Sequence, residues 1–265
     1  MEKMLLVLTH DVDWSRRGPS ELHVIQRFDR FSFEDKLRFF TLRENLYDGI
    51  RDIMEVEERY GIKSTFFFRP FYDDNTSIEL YSDIISELVR RGWEIGLHAN
   101  NTSSIESISQ EKKEIERICG CRVRSMRAHY LRIDISTIGK LSAIGLELDS
   151  SICLSRDGLS IESSGCFLID NVIELPITIM DTYMFTYWRI SPDKVFEVLL
   201  TSLRKLYESS IRIATILWHT NSIRMIGGRE YLRFIEDLLR YEWIEPIRVI
   251  DIRSLRYLCT NRNII

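Results

Sequence analysis

The sequence predicts an α/β fold, a parallel sheet with helices packed on it. Three observations lead there. Eight short apolar runs recur along the 265 residues, segments of helical period separate them, and four of the five histidines stand just past the end of a run. Short apolar cores without polar alternation suit strands buried on both faces, as in a parallel sheet.

The runs cover residues 4–9, 63–68, 93–97, 123–126, 146–149, 172–175, 211–218 and 248–250. Between the first two, Leu46, Ile50, Ile53 and Tyr60 are spaced for one face of a helix. Leu80, Ile84, Ile85 and Leu88 mark the next. Leu199, Leu203 and Leu206 mark a later one, and Leu232, Ile235, Leu238 and Leu239 another. Strand and helix therefore alternate, which a closed or nearly closed barrel and an open doubly wound sheet both satisfy. No GxGxxG follows a strand and no GxxxxGK[ST] is present, so the two common phosphate-cradling signatures are missing. With no repeat and no proline-rich linker, residues 1–265 are expected to form a single domain.

Two connections exceed plain turns, at residues 10–33 and 153–171. Long irregular loops in such domains are commonly functional. The first holds Trp14, Arg16, Arg17, Arg27 and Arg30, a candidate lid carrying positive charge.

A formal charge of −4 and a pI near 5.8 exclude a global basic field for nucleic acid or anionic lipid. No apolar run approaches the ~20 residues of a membrane span. The apolar start is too short for a signal peptide, so a cytosolic protein is expected. Arginine outnumbers lysine 28 to 8 and isoleucine outnumbers alanine 35 to 4, a bias that nucleotide composition or adaptation to heat would produce. Five cysteines form no framework spacing and are expected to be reduced, with Cys119-Gly120-Cys121 a weak metal hint.

In parallel α/β folds the active site lies beyond the carboxyl ends of the strands. There the sequence places His10-Asp11-Val12-Asp13-Trp14, then His98-Ala99-Asn100-Asn101-Thr102. Arg127-Ala128-His129-Tyr130, Asp149-Ser150-Ser151 and His219-Thr220-Asn221 come after them. Imidazole and carboxylate together suit zinc or another divalent first-row metal, and three protein ligands leave a position for water. On an extended chain Asp11 and Asp13 point the same way and His10 the other.

These residues resemble the polysaccharide deacetylases, the NodB-homology domain, in a divergent branch whose first motif reads HDVDW. The likeness spans about residues 5 to 222. It rests on Leu8-Thr9-His10-Asp11-Val12-Asp13-Trp14, Ser64-Thr65-Phe66-Phe67-Phe68 and Gly92-Trp93-Glu94-Ile95-Gly96-Leu97-His98, then on Arg127-Ala128-His129-Tyr130 and Leu217-Trp218-His219. The resemblance implies a distorted (β/α)7 barrel. It implies Asp11 as catalytic base, Asp13 and His98 as metal ligands, Arg127 as partner of the base and His219 as acid. The chain departs from the family twice. Thr102 stands where a second histidine ligand is usual, and His129 where a proline is. His129 is therefore offered as the third ligand.

The expected activity is metal-dependent removal of an N-acyl group, N-acetyl in particular, from an amino sugar or glycan precursor. Zinc is the expected cofactor, and Tyr130, Trp14 and Asn221 are expected to meet the substrate. A metal-free amidase acting on a non-sugar amide and a non-catalytic glycan-binding relative are the alternatives. The sequence does not specify an oligomeric state.

Overall fold

A computed structural model describes residues 3–161 and 164–260. The first strand, β1 (Met4–Val12), leads into two short helices, α1 (Glu21–Ile25) and α2 (Phe33–Leu42), and then α3 (Ile50–Arg59). The chain continues through β2 (Thr65–Phe68), α4 (Ser82–Arg90), β3 (Glu94–Ala99), α5 (Ile105–Cys119), β4 (Ser125–Ala128), α6 (Ile135–Ile138) and β5 (Leu148–Asp149). After the hairpin β6 (Phe167–Ile169) and β7 (Val172–Glu174) come β8 (Ile177–Met180), α7 (Asp181–Thr186), α8 (Val195–Glu208), β9 (Ile213–Leu217), α9 (Glu230–Leu238) and β10 (Ile244–Ile247).

The sheet order is β6-β7-β5-β4-β3-β2-β1-β9-β8, with β10 added on β1. Among the described strands only the β6–β7 pair is antiparallel. The curl closes through one bent stretch: β7 pairs β5, β8 pairs β9, and only Leu175-Pro176 lies between them. The Leu175 amide donates to Asp149 and the Ile177 amide to Ile152, both at 2.8 Å. Proline, lacking a donor, sits at the bend where no ladder bond is needed. Counting β7–β8 as one stave gives the seven-stave distorted barrel.

Strand alternation sorts the core into two layers. Val7, Phe67, Leu148, Ile173, Leu175 and Ile213 fill the lumen, plugged from below by Val249 and Ile252. Leu6, Leu8, Phe66, Phe68, Leu97 and Ile216 face the surrounding helices. Each such side chain contributes about 1.5–3 kcal/mol by leaving water. Gly96 makes room for the lumen packing, because a Cβ there would collide with the Phe67 ring.

The strand expected at residues 248–250 is not one. The strand is β10, and the chain from Val249 to Leu258 is a 3-10 helix. Side chains capture its backbone donors: the Val249 amide bonds Thr65 Oγ1 at 2.9 Å and the Ile250 amide bonds Glu94 Oε2 at 2.8 Å. Those amides cannot also build a ladder. The long first connection is not an irregular loop either. It folds as a cap in which Val24, Phe31, Phe39, Leu46 and Tyr47 form their own cluster. A capping box between Ser32 and Asp35 starts α2.

The expectation of reduced cysteines is overturned. Cys166 is joined to Cys259, and Cys119 to Cys121, while Cys153 is free. The first pair forms because β6 runs beside the C-terminal segment: the Thr260 amide donates to the Cys166 carbonyl. Disulfides persist in oxidising compartments and in hyperthermophile cytosol, so the cysteines lend no support to a cytosolic location. Among the described residues no helix is long and apolar enough to cross a membrane.

Candidate active site

β1 carries the acids. Its alternation turns Asp11 to the lumen side and His10 to the helices, where His10 Nδ1 donates to the Trp218 carbonyl at 2.8 Å and Nε2 meets Glu57 at 3.2 Å. His10 is thus a buried structural residue. Asp11 is 2% exposed and accepts from Arg127 Nη1 at 2.8 Å. The other guanidinium nitrogens are held by Ser150, Nε on its carbonyl and Nη2 on its hydroxyl, each at 2.7 Å. Every arm of Arg127 is fixed, so the Asp11 carboxylate has a rigid partner. Removing one member of a buried pair like this costs about 3–5 kcal/mol.

Asp13, one residue past β1, faces two imidazoles. His98 Nε2 is 3.1 Å from Asp13 Oδ1 and 3.1 Å from His129 Nδ1, and His129 Nδ1 is 3.5 Å from the same oxygen. His98 Nδ1 lies 3.1 Å from the Arg127 carbonyl, an acceptor, so that nitrogen carries the proton. In the neutral ring Nε2 is then a lone pair aimed at a carboxylate oxygen. Two acceptors face each other, an arrangement that calls for a cation between them. The separations of 3.1, 3.1 and 3.5 Å suit three corners of a tetrahedron with bonds of about 2.1 Å. These residues fit a zinc-like ion. Asp13, His98 and His129 are also the only group of three potential metal ligands found among the described residues. Burial opposes the Asp13 charge. With no ion at the corner, however, the rings would have to be protonated, and hydrogen bonds from His129 and His98 with the charges on His219 and His98 would then hold the Asp13 carboxyl well below the usual range.

Thr102 is not at this corner. Its hydroxyl donates to the Arg132 carbonyl, and His129 from the next strand end stands beside His98 instead. His129 Nε2 is buried without a partner among the described residues, unlike Nδ1 of His98.

His219, two residues past β9, closes the site from the other side. Its Nδ1 meets Asp181 Oδ1 at 2.6 Å and its amide donates to Asp181 Oδ2 at 3.0 Å. Ser222 also donates to Asp181. Nε2 lies 3.7 Å from Asp13 Oδ2. Burial works against a charged imidazole, yet the Asp181 carboxylate, with Asp13 and Asp11 behind it, pushes the His219 pKa up to about 10. The same pair lowers the Asp181 pKa, although burial opposes that too. Asp181 is not among the residues the sequence singles out, because β8 is not among the expected strands. The run Ile177-Thr178-Ile179-Met180 between Pro176 and Asp181 is the signal that could have found it.

Two cavities adjoin at this rim. One of about 290 Å³ is lined by Asp11, Asp13, His98, His129, Tyr130 and His219. The other, about 510 Å³, shares Asp13, Thr182 and His219 and extends past Asn221, Phe185 and Met225 to Asp29 and Arg30 of the cap. Asn221 Oδ1 is buried there without a partner among the described residues. Tyr130 is exposed, lies over the His129 ring at 3.9 Å, and takes a left-handed backbone with φ of 57°. Strained non-glycine backbone of this kind concentrates at functional sites. Trp14 lines neither cavity. It packs in the cap against His23 and Tyr47, so the substrate contact expected of it gives way to a structural one.

Solved structures share this architecture. A candidate polysaccharide deacetylase from Mycobacterium smegmatis superposes with a TM-score of 0.68 at 18% identity, covering 100% of this chain and 94% of that one. The chain has the polysaccharide deacetylase fold. PuuE allantoinase matches with a TM-score of 0.64 at 16% identity, over 94% of this chain and 89% of that one. A CE4 family pseudoenzyme from Bacillus anthracis matches with a TM-score of 0.54 at 12% identity, over 94% and 65%. No family model matches the sequence, and no curated protein does. The deacetylase fold thus recurs in proteins of different activity and in one that has none, so function must be argued from the site.

Proposed function

We propose that the protein is a metal-dependent hydrolase that removes an N-acyl group, N-acetyl in particular, from an amino sugar or glycan precursor. The observation that carries this reading is the three-cornered arrangement of Asp13, His98 and His129, flanked by an acid–base pair of opposite charge preference. Asp11 stands on one side, held by Arg127, and His219 on the other, held by Asp181. A pure binding site needs neither group.

Asp13, His98 and His129 would hold the ion, zinc being the best match to the donor set. When bound, such an ion supplies Lewis acidity and lowers the pKa of water. The chain's own residues do the rest. Asp11 takes the proton of the water that adds to the acyl carbon. Arg127 fixes the orientation of that carboxylate. The backbone around Tyr130 borders the position of the developing oxyanion. His219 gives its Nε2 proton to the amide nitrogen as the C–N bond breaks, leaving a carboxylic acid and a free amine. Asp181 keeps the His219 ring in the tautomer and orientation for that transfer, since Nδ1 is committed to it. Asn221 supplies a polar contact for the sugar in the larger cavity.

The test is release of acetate from a panel of N-acetylated amino sugars, nucleotide sugars and short glycans by zinc-loaded protein. Release that stops on chelation and returns with zinc supports the reading. Release unaffected by chelation would transfer the site to the metal-free amidase alternative.

A further inference from the structure

The exposed apolar side chains are not scattered. Of the sixteen large hydrophobics exposed among the described residues, six lie in the cap that follows β1, and Tyr130 and Ile226 line the two cavities of the barrel mouth. Single exposed hydrophobics are normal on any protein, whereas a concentration at one end marks a contact surface. The densest part is the cap. On α2, Phe33, Leu37 and Phe40 share one helical face at spacings of four and three, and Phe33 is 82% exposed. Leu22 and Ile25 repeat the pattern on α1.

The cap is also locally cationic. From Trp14 to Tyr47 it carries seven arginines and lysines against five carboxylates, in a chain whose formal charge is −4. Apolar helix faces among basic side chains are what an interface with anionic lipid requires. Between α1 and α2 the same cap supplies Asp29 and Arg30 to the wall of the 510 Å³ cavity that opens onto His219. A second copy of the chain seated on this cap would press the two catalytic mouths together. A lipid surface would instead present headgroups to them.

We infer that the mouth of the barrel docks on an anionic lipid surface through the α1–α2 cap, and that the amino sugar it acts on is carried as the headgroup of a lipid. The identity of the headgroup rests on the function proposed above; the docking does not.

The experiment is co-sedimentation of zinc-loaded protein with phosphatidylcholine vesicles containing phosphatidylglycerol, and with phosphatidylcholine alone. The parent should bind the anionic vesicles, and more weakly as salt rises. A Phe33→Glu, Leu37→Glu, Phe40→Glu triple variant should bind at least about ten-fold more weakly. Leu239→Glu, far from the mouth, should bind like the parent. A thermal melt checks the triple variant, and Phe33→Ser replaces it if it does not fold. No binding by the parent, or binding by the cap variant equal to the parent's, overturns the inference. So does a parent dimer that the triple variant converts to monomer without any vesicle binding. Acetate release from water-soluble N-acetylated sugars is read separately: the triple variant should keep it. Its absence even in the parent would count against the proposed activity and leave the vesicle result standing by itself.

Discussion

His98 presents Nε2 to Asp13 at 3.1 Å while its Nδ1 proton is committed to the carbonyl of Arg127. This one relationship is what fits the corner to a metal ion, because the strand-to-strand contact that orients the ring also decides which nitrogen is free. His129 completes the corner from the neighbouring strand end. His129→Ala should therefore purify with little or no bound zinc. Thr102→Ala should retain the full complement, since Thr102 serves only the Arg132 loop. Metal content per chain after zinc loading and gel filtration checks both. Equal metal in the two variants would remove His129 from the ligand set.

Asp11→Asn keeps the size of the base and removes its charge. Arg127 then faces a neutral amide, but its contacts to Ser150 remain. Substrate affinity should stay near the parent value while kcat falls by roughly 10²–10⁴-fold, the range of a general-base contribution. Steady-state kinetics on any substrate found in the acetate-release panel separate kcat from KM. Turnover at the parent rate would show that the water's proton goes elsewhere.

The Cys166–Cys259 disulfide ties the outer hairpin to the segment that plugs the barrel floor, across 93 residues of sequence. Cys166→Ser should lower stability by about 2–5 kcal/mol, the usual cost of removing a native disulfide, with the long loop favouring the upper end. The Cys119–Cys121 link closes almost no loop, so Cys119→Ser should change the melting temperature little. Thermal melts of the two variants, with and without reductant, make the comparison. The parent in reductant should behave like Cys166→Ser.

Much of the site is legible in the sequence because parallel strands put their carboxyl ends at one rim. Asp11, Asp13, His98, Arg127, His129 and His219 each stand at or just beyond the end of an apolar run, and the structure brings all six to the two adjoining cavities or their floor. Asp181 is hidden together with β8, whose run sits just after Pro176 and reads as the tail of the preceding strand. Trp14 is misplaced because an aromatic residue in a long connection looks the same whether it meets ligand or packs a cap. The helix α5 has a weak signal although Ser104 and Gly120 bracket it, because its buried residues Ile108, Ile115 and Cys119 are sparse among polar neighbours. The pairing of Cys166 with Cys259 depends on a contact between segments far apart in sequence, which no local pattern reports.

Asp181 gives the last prediction, since its carboxylate is what favours the charged His219 ring that the proposed acid role needs. The imidazole pKa stands at about 10 against burial, chiefly because Asp181 accepts from Nδ1. In Asp181→Asn the raising charge is gone and burial remains, so the His219 pKa should fall, by roughly one unit or more. The acid must be protonated to act, so the alkaline limb of the pH–rate profile should move to lower pH by the same amount. The acidic limb, which belongs to the base, should stay in place. The pair also links stability to pH. A histidine whose folded pKa is raised contributes stability that is full below about 6.5, its unfolded value, and is lost as pH climbs through about 10. The depressed Asp181 carboxyl contributes above its ordinary 3.8 and loses that contribution as pH falls through its lowered folded value. The parent should thus hold an advantage over Asp181→Asn from about pH 4 to pH 10 that narrows at both ends. Thermal melts across that range and NMR titration of the His219 ring in metal-free protein give two independent readings. A ring that titrates at the same pH in parent and variant would show that Asp181 positions His219 without charging it.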